Sequence, residues 1–195
     1  KLLDARKLTP FYQSLKPFFP KNKTGQELLE YATILEFHVM QGTDIADYAQ
    51  EKIDYLNAHP IETIENLKLV FDKLPNKFAN EKQRLLQFTS KLNTNEEVRI
   101  DFLLNETKRP LPRNSEGDIE GTSLFNTTIA FRSLANVIGD KPEELKPHLM
   151  DALESHQNDP ETSMALIHFY SRYDQQEALR LKEKYSISNE SPEDE

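Results

Sequence analysis

The residues of this chain best suited to acid–base or metal chemistry are its five histidines, His38, His59, His148, His156 and His168. Three of them have an acid three residues downstream, in the pairs His59–Glu62, His148–Asp151 and His156–Asp159. On a helix that spacing puts both side chains on one face, where they would make half of a metal site or a general acid–base pair. A zinc helix needs HExxH, and a di-iron bundle needs a Glu three residues before a His; the sequence contains neither. Acids fill 33 of the 195 positions, so such pairs arise by chance. The stretch "NAHPIETI", residues 57–64, also reads as punctuation: Asn57 closes one helix, Pro60 opens the next, and Glu62 sits in a first turn whose dipole favours an acid. His168 lies in the apolar stretch "ALIHFYSRY" and reads as a core or groove histidine. With no Cys there is no thiolate nucleophile or ligand, and no GxSxG, GxxxxGK[ST] or GxGxxG occurs. No catalytic residue, metal site or cofactor is therefore expected.

Composition narrows the class. Gly is scarce at 5 residues, Trp is absent, and 29% of the chain is charged against 37% apolar, which favours an all-helical protein over a β-sandwich. The net charge of −9 excludes a general nucleic-acid binder, because neutralising phosphates needs a basic footprint. Residues 1–23 nevertheless hold six cations (Lys1, Arg6, Lys7, Lys16, Lys21 and Lys23) against Asp4. The last ten residues, "SISNESPEDE", hold four acids and no cation, and residues 187–195 read as a disordered acidic tail. No apolar run approaches the ~18–20 residues that cross a bilayer. A chain that begins at Lys1 and not at Met fits an upstream segment, a signal peptide or membrane anchor among the options. Cytoplasm and bacterial periplasm are both compatible with the composition. Four N-x-S/T sequons, at Asn22, Asn105, Asn126 and Asn189, read as composition and not as glycosylation.

The elements that must position these groups are marked by caps and breakers. "TGQE" makes Thr24 an N-cap with Glu27 completing a capping box, followed by Leu28, Leu29, Ala32, Leu35 and Val39 at helical spacing up to Gly42. A second helix starts at Thr43 or Asp44. Pro60 opens the next, with Ile61, Ile64, Leu67, Val70, Phe71 and Leu74 as its stripe, and Pro75 breaks it. Residues 77–92 form another, and Thr94 or Asn95 caps a shorter one. "NETKRPLPRNSEGDIEGTS", residues 105–123, is a loop. Helices resume over 123–138, stopped by Gly139, then over 142–156, 160–172 and from Asp174. Every second helix begins near 26, 60, 95, 123 and 160, at intervals of 34, 35, 28 and 37.

Helix pairs recurring at about 34 residues resemble the tetratricopeptide repeat family. In "QGTDIADYAQEKIDYLNAHP", Gly42, Ala49, Ile53 and Pro60 stand near that family's Gly, small, aromatic and closing Pro positions. "YSRYDQQEALRLKEKY" is similar, with Tyr170 eight residues before Ala178. "SKLNTNEEV" and "SHQNDPETS" echo "DYLNAHPIETI". No Trp opens a repeat and no Leu-Gly pair occurs in a first helix, so a HEAT-like solenoid or a compact bundle stay open. The resemblance implies antiparallel helix pairs stacked as a short α-solenoid of about nine or ten helices. It also implies a concave face that binds a peptide or partner helix.

On this reading residues 1–23 are a basic, aromatic N-terminal segment that caps the array, or a juxtamembrane flank; residues 24–186 are the repeat domain with its internal loop. The expected function is non-catalytic protein–protein interaction or scaffolding. The alternatives are a membrane-anchored accessory subunit of a larger complex, and a small-ligand-binding or enzymatic helical domain. Partner contacts are expected at Asn66, Asn126, Arg132 and Arg172 on the first helices, and at Arg109 and Arg113 in the loop, which could present a basic tip to an acidic partner. The expected partner is another protein or peptide and not nucleic acid, with membrane contact only through an upstream segment.

Overall fold

Residues 5–41, 46–117 and 123–186 are described by the structure, a computed structural model. The expected stop at Gly42, the restart at Thr43 or Asp44, part of the 105–123 loop and the acidic tail lie outside the described residues. The chain divides into two compact units, residues 1–99 and 100–195. Among the described residues it is all-helical, with ten α-helices and no strand.

The first unit contains α1 (Ala5–Leu15), α2 (Lys23–Gln41), α3 (Ala46–Ala58), α4 (Pro60–Lys73) and α5 (Ala79–Thr89). Pro60 opens α4 at its first helical position, and the peptide folds out after Lys73, ahead of Pro75. Ile64, Leu67, Val70 and Phe71 recur at spacings of three and four and are buried, as the stripe predicts. A fully buried leucine such as Leu67 contributes about 2 kcal/mol. Helix α2 packs against α1, α3, α4 and α5.

The start of α2 differs from the expected capping box. Asn22 is the cap: its Oδ1 accepts from the Gly25 N–H at 2.7 Å, and its carbonyl accepts from the Gln26 N–H at 3.0 Å. Thr24 is fully buried one turn further in, and Glu27 pairs with Lys52 instead of closing a box. A Cβ at Gly25 would stand 2.3 Å from the Pro20 carbonyl oxygen, so only glycine lets the chain pass there.

Residues 1–23, read from the sequence as a basic, aromatic capping segment or juxtamembrane flank, contain α1 and a 3₁₀ turn at Lys16–Phe18. Pro10 inside α1 hid it from pattern reading. Phe11 and Phe18 pack on Phe78 with ring centroids 6.4 and 5.8 Å away, and Phe19 is buried. These aromatics serve the core of the first unit.

Helix α6 (Glu96–Thr107) carries the boundary between the units; Asn95 caps it through the Glu97 N–H at 2.9 Å. The second unit continues with α7 (Ser123–Ile138), α8 (Pro142–Ser155), α9 (Pro160–Tyr170) and α10 (Gln175–Ser186). Gly139 ends α7 in the left-handed region at φ 80°, and Asp140 follows at φ 57°.

The units share part of an internal plan, although α2 also packs on α5 and α7 has no matching contact with α10 of that strength. In the first, α2 packs on α3 and α4, α3 on α4, and α4 on α5; in the second, α7 packs on α8 and α9, α8 on α9, and α9 on α10. Helices α2 and α7 start 100 residues apart, as do α4 and α9. Buried Tyr31, Thr33 and Ile34 match buried Phe131, Ser133 and Leu134 at that offset. The Thr63 hydroxyl donates to the Leu56 carbonyl at 3.1 Å, and the Ser163 hydroxyl donates to the His156 carbonyl at 3.1 Å. The echo of "NAHPIETI" in "NDPETS" is thus the same helix-to-helix connection, closed by the same hydroxyl seven residues after the carbonyl it meets.

Candidate interaction surface

In two of the His–acid pairs the histidine bonds to a backbone carbonyl. His59 donates from Nδ1 to the Tyr55 carbonyl at 2.9 Å and stacks on the Tyr55 ring. His156 is buried, and its Nε2 donates to the Thr107 carbonyl at 2.8 Å, tying the end of α6 to the end of α8. Asp159 caps α9 through the Thr162 N–H and hydroxyl, at 3.2 and 2.8 Å. Among the described residues no cluster of three or more His, Asp or Glu side chains could hold a metal, and no described helix is long and apolar enough to cross a membrane. His168, read as a core or groove histidine, is exposed and not in the core, because α9 turns Leu166, Ile167, Phe169 and Tyr170 inward and leaves position 168 on the outer face.

The six expected contact residues have different fates. Asn66 is 2% exposed: its Nδ2 donates to Asn22 Oδ1 at 3.0 Å, and Asn22 Nδ2 donates to Asn66 Oδ1 at 3.2 Å. It was expected as an exposed contact, and this is corrected: α4 points it into the unit, where only another amide satisfies it. Arg109 clasps Glu106 with two hydrogen bonds of 2.8 and 2.6 Å. Arg113 pairs with Asp159 at 3.2 Å and donates to the Gly117 carbonyl. The described part of the loop, with Arg113 on Asp159 and the Thr107 carbonyl on His156, is therefore fastened to the α8–α9 connection. Both of its arginines, Arg109 and Arg113, are engaged within the chain. Asn126 is half-buried, and its Oδ1 has no hydrogen-bond partner among the described residues.

Arg132 and Arg172 remain, and the fold brings them together. Arg132 projects from the exposed side of α7, next in sequence to buried Phe131. Arg172 follows the C-cap of α9, with its guanidinium 5.1 Å over the Phe169 ring. Phe131 meets Phe169 edge-on at 5.8 Å, and Phe169 meets Tyr173 at 5.8 Å. The Tyr173 hydroxyl donates to Asp140 Oδ1 at 2.9 Å. Burial first, then the hydrogen bond to Asp140 and its charge, push the Tyr173 phenol up to about 12, while the guanidiniums of Arg172 and Arg132 pull the other way. Both guanidiniums therefore lie within electrostatic reach of one phenol, and neither has an ion-pair partner among the described residues. Asn126 is not part of this group: six residues before Arg132 on α7, it is turned about 120° away.

Pattern reading missed Tyr173, Phe169 and Asp140. "HFYSRYD" does put Arg172 among aromatics, but Asp140 reaches Tyr173 only through packing of residues 33 positions apart. Guanidiniums have the fork geometry that pairs with carboxylates and other oxyanions, and the Phe169 ring lies under one of the two here. No protein-family model, no curated protein and no solved structure matches the chain.

Proposed function

We propose that the chain is a non-catalytic protein-interaction module that receives an acidic segment of a partner protein on the surface made by Arg132, Arg172 and Tyr173. The observation that carries this reading is a pair of exposed guanidiniums, neither with an ion pair among the described residues, near one phenol, and one of them stacked over the Phe169 ring. A partner's acids complete the unpaired ones.

The shared plan of the two units supports a helix-pair repeat of the tetratricopeptide-like kind, in which α2/α3, α4/α5, α7/α8 and α9/α10 are the pairs. In that reading Arg132 belongs to the first helix of its pair, and Arg172 closes the first helix of the next. Arrays of this kind bind extended peptides or helices along their first helices.

Affinity purification of the natural protein and of the double variant Arg132→Gln/Arg172→Gln, with mass spectrometry of the bound proteins, tests this. The expected outcome is a partner carrying an acidic stretch, reduced at least about tenfold by the double variant while urea unfolding stays unchanged. Full retention of every partner by the variant sinks the proposal.

A further inference from the structure

The loop that leaves α6 presents one serine unlike the others. The hydroxyls of Ser14, Ser90, Ser155 and Ser171 each donate to a carbonyl three or four residues back, at 2.7, 2.8, 3.0 and 2.6 Å. Ser115 is exposed, lies outside any helix, and its hydroxyl has no hydrogen bond among the described residues. It stands at the corner of a tight turn. The Gly117 N–H donates to the Asn114 carbonyl at 3.1 Å, and the Glu116 N–H donates to Asn114 Oδ1 at 2.9 Å. Phosphoryl transfer needs an in-line approach to the accepting oxygen, which a free hydroxyl at such a corner allows. In the sequence Glu116 follows Ser115 directly and Asp118 comes two residues later, a pattern complementary to a kinase with a basic substrate cleft. Arg113 lies across the same turn: its guanidinium donates to the Gly117 carbonyl and pairs with Asp159 Oδ1 at 3.2 Å. Asp159 can release that partner, because the Thr162 N–H and hydroxyl also hold its carboxylate, at 3.2 and 2.8 Å.

We infer that Ser115 is a phosphorylation site whose phosphate takes Arg113 from Asp159 and so unfastens residues 110–117 from the α8–α9 connection. In the reaction the Ser115 Oγ attacks the γ-phosphorus of ATP bound to a protein kinase. The bond from that phosphorus to the β–γ bridging oxygen breaks, ADP leaves, and the hydroxyl proton passes to the kinase's catalytic carboxylate. The phosphate carries a charge of about −1.5 to −2 and three acceptor oxygens, against the single charge of Asp159, and the guanidinium fork pairs with it bidentately. Position decides which cation it takes. Arg113 is two residues away and already reaches over the turn, whereas Lys108 is seven residues away and Arg109 is clasped by Glu106 at 2.8 and 2.6 Å. The release stops at α6, because the Thr107 carbonyl keeps its bond from His156. Neither Arg132 nor Arg172 takes part, so the switch stands or falls apart from the interaction surface proposed above.

The full-length chain is incubated with ATP, Mg²⁺ and a purified serine kinase that selects acids after its target, and the modified residues are mapped by mass spectrometry. Ser191, followed by Glu193, Asp194 and Glu195, is the internal positive control. The expected result is a phosphate on Ser115 that is lost in Ser115→Ala. Phosphate on Ser191 with none on Ser115 overturns the inference. The switch is then read in a full-length chain carrying Ser188→Ala and Ser191→Ala, phosphorylated on Ser115. Its Asp159 and Thr162 amide resonances should move in the direction that Arg113→Gln moves them without any phosphate. By phosphorus resonance, the second ionisation of the phosphate should fall about half a pH unit lower than in the same phosphorylated chain with Arg113→Gln. Asp159 and Thr162 amides that stay in place on phosphorylation, or a phosphate that ionises alike with and without Arg113, overturn the inference.

Discussion

Asn66 shows how little a residue's type says about its role. It is a polar residue on an amphipathic helix, and the sequence offers it as an exposed contact. In the fold it is one half of a reciprocal amide pair with Asn22, whose Oδ1 also caps α2. Asn66→Ala removes one partner and leaves a part-buried amide unsatisfied, with an expected cost of about 1–3 kcal/mol. Urea unfolding midpoints measure this directly; a variant as stable as the natural protein would mean the pair contributes nothing. Arg172 is the converse case. The Phe169 ring beneath it and the lack of an ion pair to it among the described residues make it a contact candidate.

At the scale of elements, α2 and α3 are joined by an antiparallel ladder of polar contacts. Lys23 lies 4.5 Å over the Tyr55 ring, Lys52 pairs with Glu27 at 2.8 Å and Glu30 at 2.7 Å, and Tyr48 donates to Glu30 at 2.9 Å. Burial disfavours the Lys52 charge, yet its bonds to Glu27 and Glu30 outweigh this and hold the ammonium above the ordinary lysine range. Burial likewise pushes the Glu30 carboxyl up, and the bonds from Lys52, Gln26 and Tyr48 outweigh it and bring the carboxyl below its ordinary 4.5.

The signs follow from linkage. A raised lysine contributes stability that is complete below its unfolded value near 10.4 and is lost as pH climbs through the folded one. A lowered carboxylate contributes stability above its unfolded value that is lost as pH falls through the folded one. Lys52→Met should therefore cost about 2 kcal/mol at neutral pH, discounted because both carboxylates keep partial solvent contact. That difference should shrink below about pH 4.5 and above about pH 10.4. Urea midpoints of the two proteins across pH measure it, and a difference that stays flat through the acid range rules the ladder out as its source.

At the scale of the molecule, two units carry part of one plan. Thr63 and Ser163 close the same connection at positions 100 apart, each meeting a carbonyl seven residues back at 3.1 Å. Thr63→Val and Ser163→Ala should then each cost about 1 kcal/mol, because each removes one buried hydroxyl bond of the same kind. Calorimetry of the two variants compares them, and a cost confined to one would break the equivalence.

The sequence by itself determined the helical class and several helix ends, because those signals are local. Pro60 and Pro160 open helices, Gly139 closes one, and the Asn95 side chain caps one, each through contacts within a turn. Helix α1 was lost to Pro10, and the Asn22 cap to Thr24, where two local signals competed. Tertiary structure alone decided which polar groups are inside and which meet at the surface. His156 is buried and His168 exposed, Asn66 finds Asn22 across 44 residues, and Arg132 joins Arg172 around Tyr173. Burial and convergence depend on which helices pack together. That packing is settled by partners far away along the chain, and no short stretch of residues encodes it.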